Sequence, residues 1–223
     1  MSTQSDYLII GSGIAGLSAA IKLAAHGSVS IITKKQQNES NTNYAQGGIA
    51  AVFDAADSFE QHIKDTLQAG GGLCHEDAVR LIVSQGPARV QELYEWGVRF
   101  TRKNDGQFDL GREGGHHTNR IVHVKDHTGR DVEQALLEAA KAHPNISIYE
   151  HHVAVELITE HHIFTPQTQA SVELHCWGAY VLDVTQNHIE RFLARATILA
   201  TGGCGQVYLH TTNPGIATGD GVA

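Results

Sequence analysis

The chain opens on a short apolar run, Tyr7-Leu8-Ile9-Ile10, that passes through three glycines into apolar positions with helical spacing. An Ile-rich run without polar alternation predicts a strand buried on both faces, and the helical period after it predicts a crossover helix. The pattern places a strand over Asp6–Ile10, a helix over Leu17–Ala25 and a second strand over Val29–Thr33. Ser58 is expected to cap a helix ending at Ala69, with Gly70-Gly71-Gly72 as its stop. Glu76–Trp96 is helical by period, and Gly86-Pro87 is expected to break it into two helices. Val98–Asp109 is polar and reads as an extended excursion. Gly129–Ala142 is a helix, with Val132, Leu136, Ala139 and Ala140 on one face and Pro144 blocking its continuation. Strands are predicted over Ile146–Ile148, Val153–Ile158, Trp177–Val184 and Phe192–Ala200. The order is βαβ, helices, an antiparallel insertion and a return strand, which makes one α/β domain.

Composition narrows the class. At 223 residues, with 41% hydrophobic residues and 23 glycines, the chain is long enough for one sizeable core. A net charge of −8 argues against nucleic acid, whose phosphates need clustered Lys and Arg. Cys74, Cys176 and Cys204 lie far apart with no C-x-x-C, which excludes a local iron–sulfur or zinc framework and points to a reducing, cytoplasmic setting. The N-terminus has no basic leader segment, and the apolar stretch Tyr7–Ile21 carries three glycines and falls short of the about 20 residues a membrane span needs. Fifteen histidines include the pairs His116-His117, His151-His152 and His161-His162, and the i,i+4 pair His123/His127. The segment around His123 has no helical period to bring that pair to one face, so solvated or core histidines are expected, with no metal site.

The glycines Gly11, Gly13 and Gly16 are spaced G-x-G-x-x-G between the first strand and its helix. Gly11 permits the sharp turn, Gly13 lets the backbone approach a diphosphate, and Gly16 lets helix and strand pack closely. The first amides of the helix, lacking intrahelical partners, form an anion site with the helix dipole. A nucleotide-binding βαβ unit commonly ends its second strand on a carboxylate for the ribose; here Thr33-Lys34 stands instead. Either the ribose is held differently or a cation near the phosphates replaces the acid. Tyr44-Ala45-Gln46-Gly47-Gly48 is small and glycine-rich, as suits a loop lying against a flat ligand or simply joining two elements. In Leu110-Gly111-Arg112-Glu113-Gly114-Gly115-His116-His117, ionisable groups bracket two glycines in a segment too glycine-rich for regular structure, either a ligand-contacting loop or a solvated turn.

Taken together, G-S-G-I-A-G, A-Q-G-G, R-E-G-G-H, A-T-G-G (Ala200–Gly203), Thr212-Asn213-Pro214 and Gly219-Asp220-Gly221 resemble the succinate dehydrogenase/fumarate reductase flavoprotein family over essentially the whole chain. Within it they look most like the branch that oxidises L-aspartate in NAD biosynthesis. The resemblance implies an FAD-binding, Rossmann-like domain of the glutathione-reductase type with an antiparallel β insertion, spanning residues 1–223. A capping domain and a C-terminal helical domain, with the side chains that grip the substrate carboxylates, are expected outside this chain. Ser12, Gly13, Ile14, Ala15 and Gly16 would carry the diphosphate, and Lys34 would lie near the adenosine half. Asn41, Thr42, Asn43, Tyr44, Ala45, Gln46, Gly47 and Gly48 would line the flavin. Val153 and Ala154 would meet the adenine through their backbone, and Asp220 would sit close to the cofactor. Succinate dehydrogenases carry a flavin-bonding histidine where this chain has Asn41, so non-covalent FAD is implied. The dehydrogenase version of R-E-G-G-H is usually apolar at the Glu113 position, where a carboxylate would pair with a substrate ammonium. The implied reaction converts L-aspartate to iminoaspartate with oxygen or fumarate as acceptor, and the implied partner is the next enzyme of quinolinate synthesis. A fumarate reductase or succinate dehydrogenase flavoprotein subunit, and a non-catalytic flavin-binding module, are the competing readings.

Overall fold

The structure, a computed structural model, describes residues 2–125, 127–160 and 175–222, so the His161-His162 pair lies outside the described residues. Two compact units divide the chain: residues 1–43 with 136–223, and residues 44–135.

The first unit begins with β1 (Ser2–Ile10), α1 (Ile14–Leu23) and β2 (Val29–Thr33). The strand pair is parallel, with Ile9 opposite Ile31 and Ile10 opposite Ile32. At the turn back into β2, the Asp6 carboxylate accepts from the Ser28 amide (2.8 Å) and hydroxyl (2.9 Å). These bonds, the amide's first, hold the Asp6 carboxyl below the usual carboxylate range. In the second unit come β3 (Ile49–Ala50), α2 (Phe59–Ala69), α3 (Glu76–Glu95), β4 (Leu110–Gly111) and β5 (Ile121–Val122). Next is α4 (Thr128–Ala142), whose residues divide between the two units. The first unit resumes with β6 (Ile146–Glu150), β7 (His152–Thr159), β8 (Cys176–Asp183) and β9 (His188–Leu199).

The large sheet has the order β6-β2-β1-β9-β8-β7. Its β6, β2, β1 and β9 run parallel, while β7, β8 and β9 form an antiparallel meander, as the sequence predicts. Strand β9 serves both halves: Phe192 pairs with Thr3 of β1 on one side and with Ala179 of β8 on the other. One residue, His151 at φ +57°, separates β6 from β7 at opposite edges of this order, so the sheet curls back on itself. Leu8, Ile10 and Ile32 of the parallel strands therefore pack against Ala179, Val181 and Phe192 of the meander, with Tyr149 and Leu157 at the margin. Each Leu or Ile fully buried there contributes about 1.5–3 kcal/mol. On the opposite face lie Ile9 and α1, whose Leu17 and Ala20 are buried.

In the second unit, α2 and α3 pack through Ile63, Val79 and Val83. Ser58 caps α2 as expected, accepting from the Gln61 amide at 3.1 Å. Three expectations need correcting. Helix α3 is one unbroken element with Pro87 inside it. Val79, Val83, Val90 and Leu93 continue a single buried face across the proline, and that packing outweighs the lost hydrogen bond. The 98–109 excursion is no polar tether: Val98 and Phe100 are buried, and Phe108 stacks edge-on against Phe53 and Phe100 at 4.8 and 5.9 Å. Finally, the glycine-rich 110–117 segment does begin in regular structure. Gly111 and Ile121 pair across a three-stranded sheet, β3-β5-β4, whose two-residue strands are too short to leave a periodic signal.

Candidate functional site

The C-terminal ends of β1, β2 and β9 open into a groove of about 710 Å³, within the range of small-molecule sites. In open α/β sheets, ligands bind at such strand ends, where the order of the strands reverses. Of the residues predicted to hold a cofactor, the structure brings Gly11, Ser12, Gly13, Ile14, Ala15, Lys34, Asn41, Thr42, Val153, Ala154 and Asp220 together in its wall.

Each glycine has its own reason. Gly11 turns at φ +116°, and a Cβ there would run into the Ala200 carbonyl. A Cβ on Gly16 would strike the Gly11 carbonyl, so Gly16 serves helix–strand packing. Gly13 differs: its φ of −73° suits any residue, and a Cβ would approach protein no closer than 3.6 Å. Its missing side chain leaves room in the groove and relieves no internal clash. Beside it the first amides of α1 lack intrahelical acceptors, and the helix dipole makes this end electropositive. Thr42 Oγ1 accepts from the Ile14 amide at 3.1 Å, tying the 34–43 loop to the helix start. The Ser12 hydroxyl donates to the Gln37 carbonyl at 2.9 Å, so that loop is also fixed at its middle.

Lys34 and Asp220 face one another at 2.6 Å, and Thr218 Oγ1 bridges them, 2.5 Å from each. Burial pushes the Asp220 carboxyl up, but the Lys34 and Thr218 hydrogen bonds outweigh it and hold the group below its ordinary range. The carboxylate missing from the end of β2 has a neighbour: Glu150, paired in register with Thr33, accepts from the Gln37 amide at 2.8 Å. It shapes the loop from the adjacent strand. Asn41 Oδ1 is buried in the groove wall with no hydrogen-bond partner among the described residues.

The remaining predicted residues are not part of this groove's lining. Asn43 donates its amide toward Ser40 Oγ and is outside the groove wall. Tyr44, Ala45, Gln46, Gly47, Gly48 and Glu113 belong to the second unit. There Ala45 accepts from the Gly129 amide at 2.9 Å, and Glu113 stands on the exposed β4–β5 loop, its carbonyl accepting from His116. That loop rests on an ionic cluster the sequence did not reveal. Arg120, fully buried, donates to both oxygens of Asp57 (2.8 and 2.9 Å) and to Asp65 (2.9 Å). Burial pushes the Asp65 carboxyl up, but bonds from the His117 amide, Gln61, the His117 ring and Arg120 hold it far below its usual range. His62, buried nearby, has its imidazole pushed down by desolvation and then by Arg120, which makes it a core histidine. Ala200 and Thr201 also line the groove without having been expected to, and the A-T-G-G turn that ends a buried strand is their signal in the sequence.

The FAD binding domain family matches residues 6–223. A chloroplastic L-aspartate oxidase of Nicotiana tabacum is 47% identical over 218 residues, which is 98% of this chain and 33% of the relative. The L-aspartate oxidase of Yersinia pestis is 48% identical over 223 residues, covering 98% of this chain and 41% of its own. Among solved structures, the FrdA chain of E. coli quinol fumarate reductase superposes with a TM-score of 0.88 at 32% identity, covering 99% of this chain and 36% of that one. The chain thus spans about a third of the plant relative's length. FAD fits what the groove provides: an electropositive helix start for a diphosphate, a glycine whose bareness serves only the groove, and an orphaned amide oxygen at Asn41. The chain belongs to the FAD binding domain family, and its cofactor is FAD.

Proposed function

We propose that the whole protein is an FAD-dependent L-aspartate oxidase, converting L-aspartate to iminoaspartate with oxygen or fumarate as acceptor. The observation that carries this reading is the contrast in identity: 47–48% to two L-aspartate oxidases against 32% to the fumarate reductase chain, over nearly the same residues. The reaction places the protein at the entry to NAD biosynthesis. Its product is a hydrolysable imine, so the next enzyme of quinolinate synthesis is the fitting partner. A cytoplasmic setting is in keeping with three free cysteines, and no helix among the described residues is long and apolar enough to cross a membrane.

In this reading both units form one FAD-binding domain. Gly11 to Gly16 receive the diphosphate at the start of α1, Lys34 and Asp220 close the groove, and the Val153–Ala154 backbone meets the adenine. Asn41 to Gly48 face the flavin, and with Asn41 in place of a bonding histidine the cofactor is held without a covalent link. Bound FAD supplies a two-electron acceptor for the hydride that leaves the aspartate α-carbon. Glu113 pairs with the substrate's α-ammonium and orients Cα, a charge-assisted contact that a dicarboxylate without an amine cannot make.

The test is anaerobic mixing of the full-length protein with L-aspartate. Bleaching of the flavin band by aspartate and not by succinate is expected. Bleaching by succinate alone would favour the fumarate reductase reading that the FrdA superposition offers. No bleaching by either, with FAD bound, would make the protein a binding module. Glu113→Gln should weaken aspartate use more than fumarate reduction, and equal loss of both would rule Glu113 out as the partner of the substrate ammonium. Acid precipitation should release the flavin into the supernatant.

A further inference from the structure

The β4–β5 loop carries Glu113, yet at its apex Gly114 and Gly115 have no close packing among the described residues. A Cβ added at Gly114 or Gly115 would find no atom of the described residues within 4 Å, and Arg112 to Gly115 are exposed. The loop is held on both sides of that apex. At its base the Arg120 amide donates to the Gly111 carbonyl at 3.0 Å. At its far shoulder Asp65 of α2 accepts from the His117 amide at 3.1 Å and contacts His117 Nδ1 at 2.5 Å. Between these points the His116 amide closes a turn on the Glu113 carbonyl at 3.3 Å.

Asp65 is itself fixed. Its carboxylate also takes Arg120 Nη1 at 2.9 Å and Gln61 Nε2 at 2.7 Å. Arg120 in turn is held in a two-point grip by Asp57 and donates to Thr118 Oγ1 at 2.9 Å. The planar guanidinium, with its forked donors, ties together helix α2, the residue before its cap and the returning arm of the loop.

We propose that Asp65, oriented by Arg120, is a positioning residue: it anchors His117 and thereby sets where the Arg112–Gly115 apex presents Glu113. This deepens the aspartate oxidase reading, because a carboxylate that selects a substrate ammonium works only when its distance to the reacting carbon is fixed. A merely structural cluster would stabilise the unit without affecting which substrate is preferred.

The experiment uses the full-length, FAD-loaded protein with Asp65→Asn and His117→Ala. The second variant guards against misfolding, since His117 is exposed and its loss leaves the Arg120–Asp65 pair in place. Amide exchange is followed across 112–118, and KM is measured for aspartate and for fumarate. Exchange in the loop should quicken about tenfold or more in both variants, the scale of a lost charge-assisted hydrogen bond, while α3 stays protected. KM for aspartate should rise several-fold more than KM for fumarate. Unchanged loop exchange would overturn the proposal. So would faster exchange throughout the unit with equal loss of both activities. If the wild type ignores aspartate, the aspartate oxidase reading fails, while the exchange comparison still decides whether Asp65 anchors the loop.

Discussion

In the first unit the groove turns on the glycines and amides at the start of α1, with small residues such as Ala15, Ala154 and Ala200 set among Ile, Leu and Val side chains. In the second unit, the loop bearing Glu113 is held by a buried arginine and two aspartates brought together from positions 57, 65 and 120. The two constructions fail differently. A backbone-built wall tolerates most side-chain changes around it but not a Cβ where the chain must turn or pass close. An ionic anchor depends on every charge in it, because removing one leaves the others buried without compensation.

The largest effect should come from breaking the anchor. Arg120→Met strands Asp57 and Asp65 without their counter-charge and should cost about 3–5 kcal/mol in denaturant unfolding. The sign with pH follows from Asp65. Its folded pKa is depressed, so its contribution is fully present above the ordinary unfolded value of about 4 and is lost as pH falls toward the folded value. Wild-type stability should therefore fall steeply below about pH 4, and Arg120→Met should flatten that fall. Next comes the backbone wall. Gly11→Ala forces a side chain to φ +116° and into the Ala200 carbonyl, costing about 2–4 kcal/mol, and the purified protein should come out with little flavin.

Much of the first unit was legible because its elements are local and strongly patterned. An Ile-rich run, three spaced glycines and a helical period follow one another between Asp6 and Ala25, and each carries its own physical reason. The second unit resisted. Its strands are two residues long, and Pro87 read as a break because the packing that overrides it comes from elsewhere in the chain. Asp57, Asp65 and Arg120 look in sequence like ordinary surface charges; only folding shows that all three side chains are buried. Glu113 stands out only through the family resemblance of its R-E-G-G-H motif, whereas what holds that motif in place has no local signature.

Smaller changes sharpen the contrast. Ser58→Ala removes the hydrogen bond that caps α2, the helix bearing Asp65, and should cost about 1 kcal/mol in thermal or denaturant unfolding. Lys34→Met breaks a partly exposed ion pair and should change stability by less than about 1 kcal/mol, because solvent screens it. Its larger consequence should be a several-fold, salt-sensitive weakening of FAD affinity, read by flavin titration.

If the first unit's groove is the seat of FAD, Gly13→Val is the substitution that tests it most directly. At φ −73° the substitution is unstrained, and its Cβ would meet the protein only at ordinary contact distances. Measured side by side in the full-length protein, unfolding stability should match the wild type while FAD affinity collapses. FAD bound as tightly as in the wild type would contradict the placement of the cofactor along that wall.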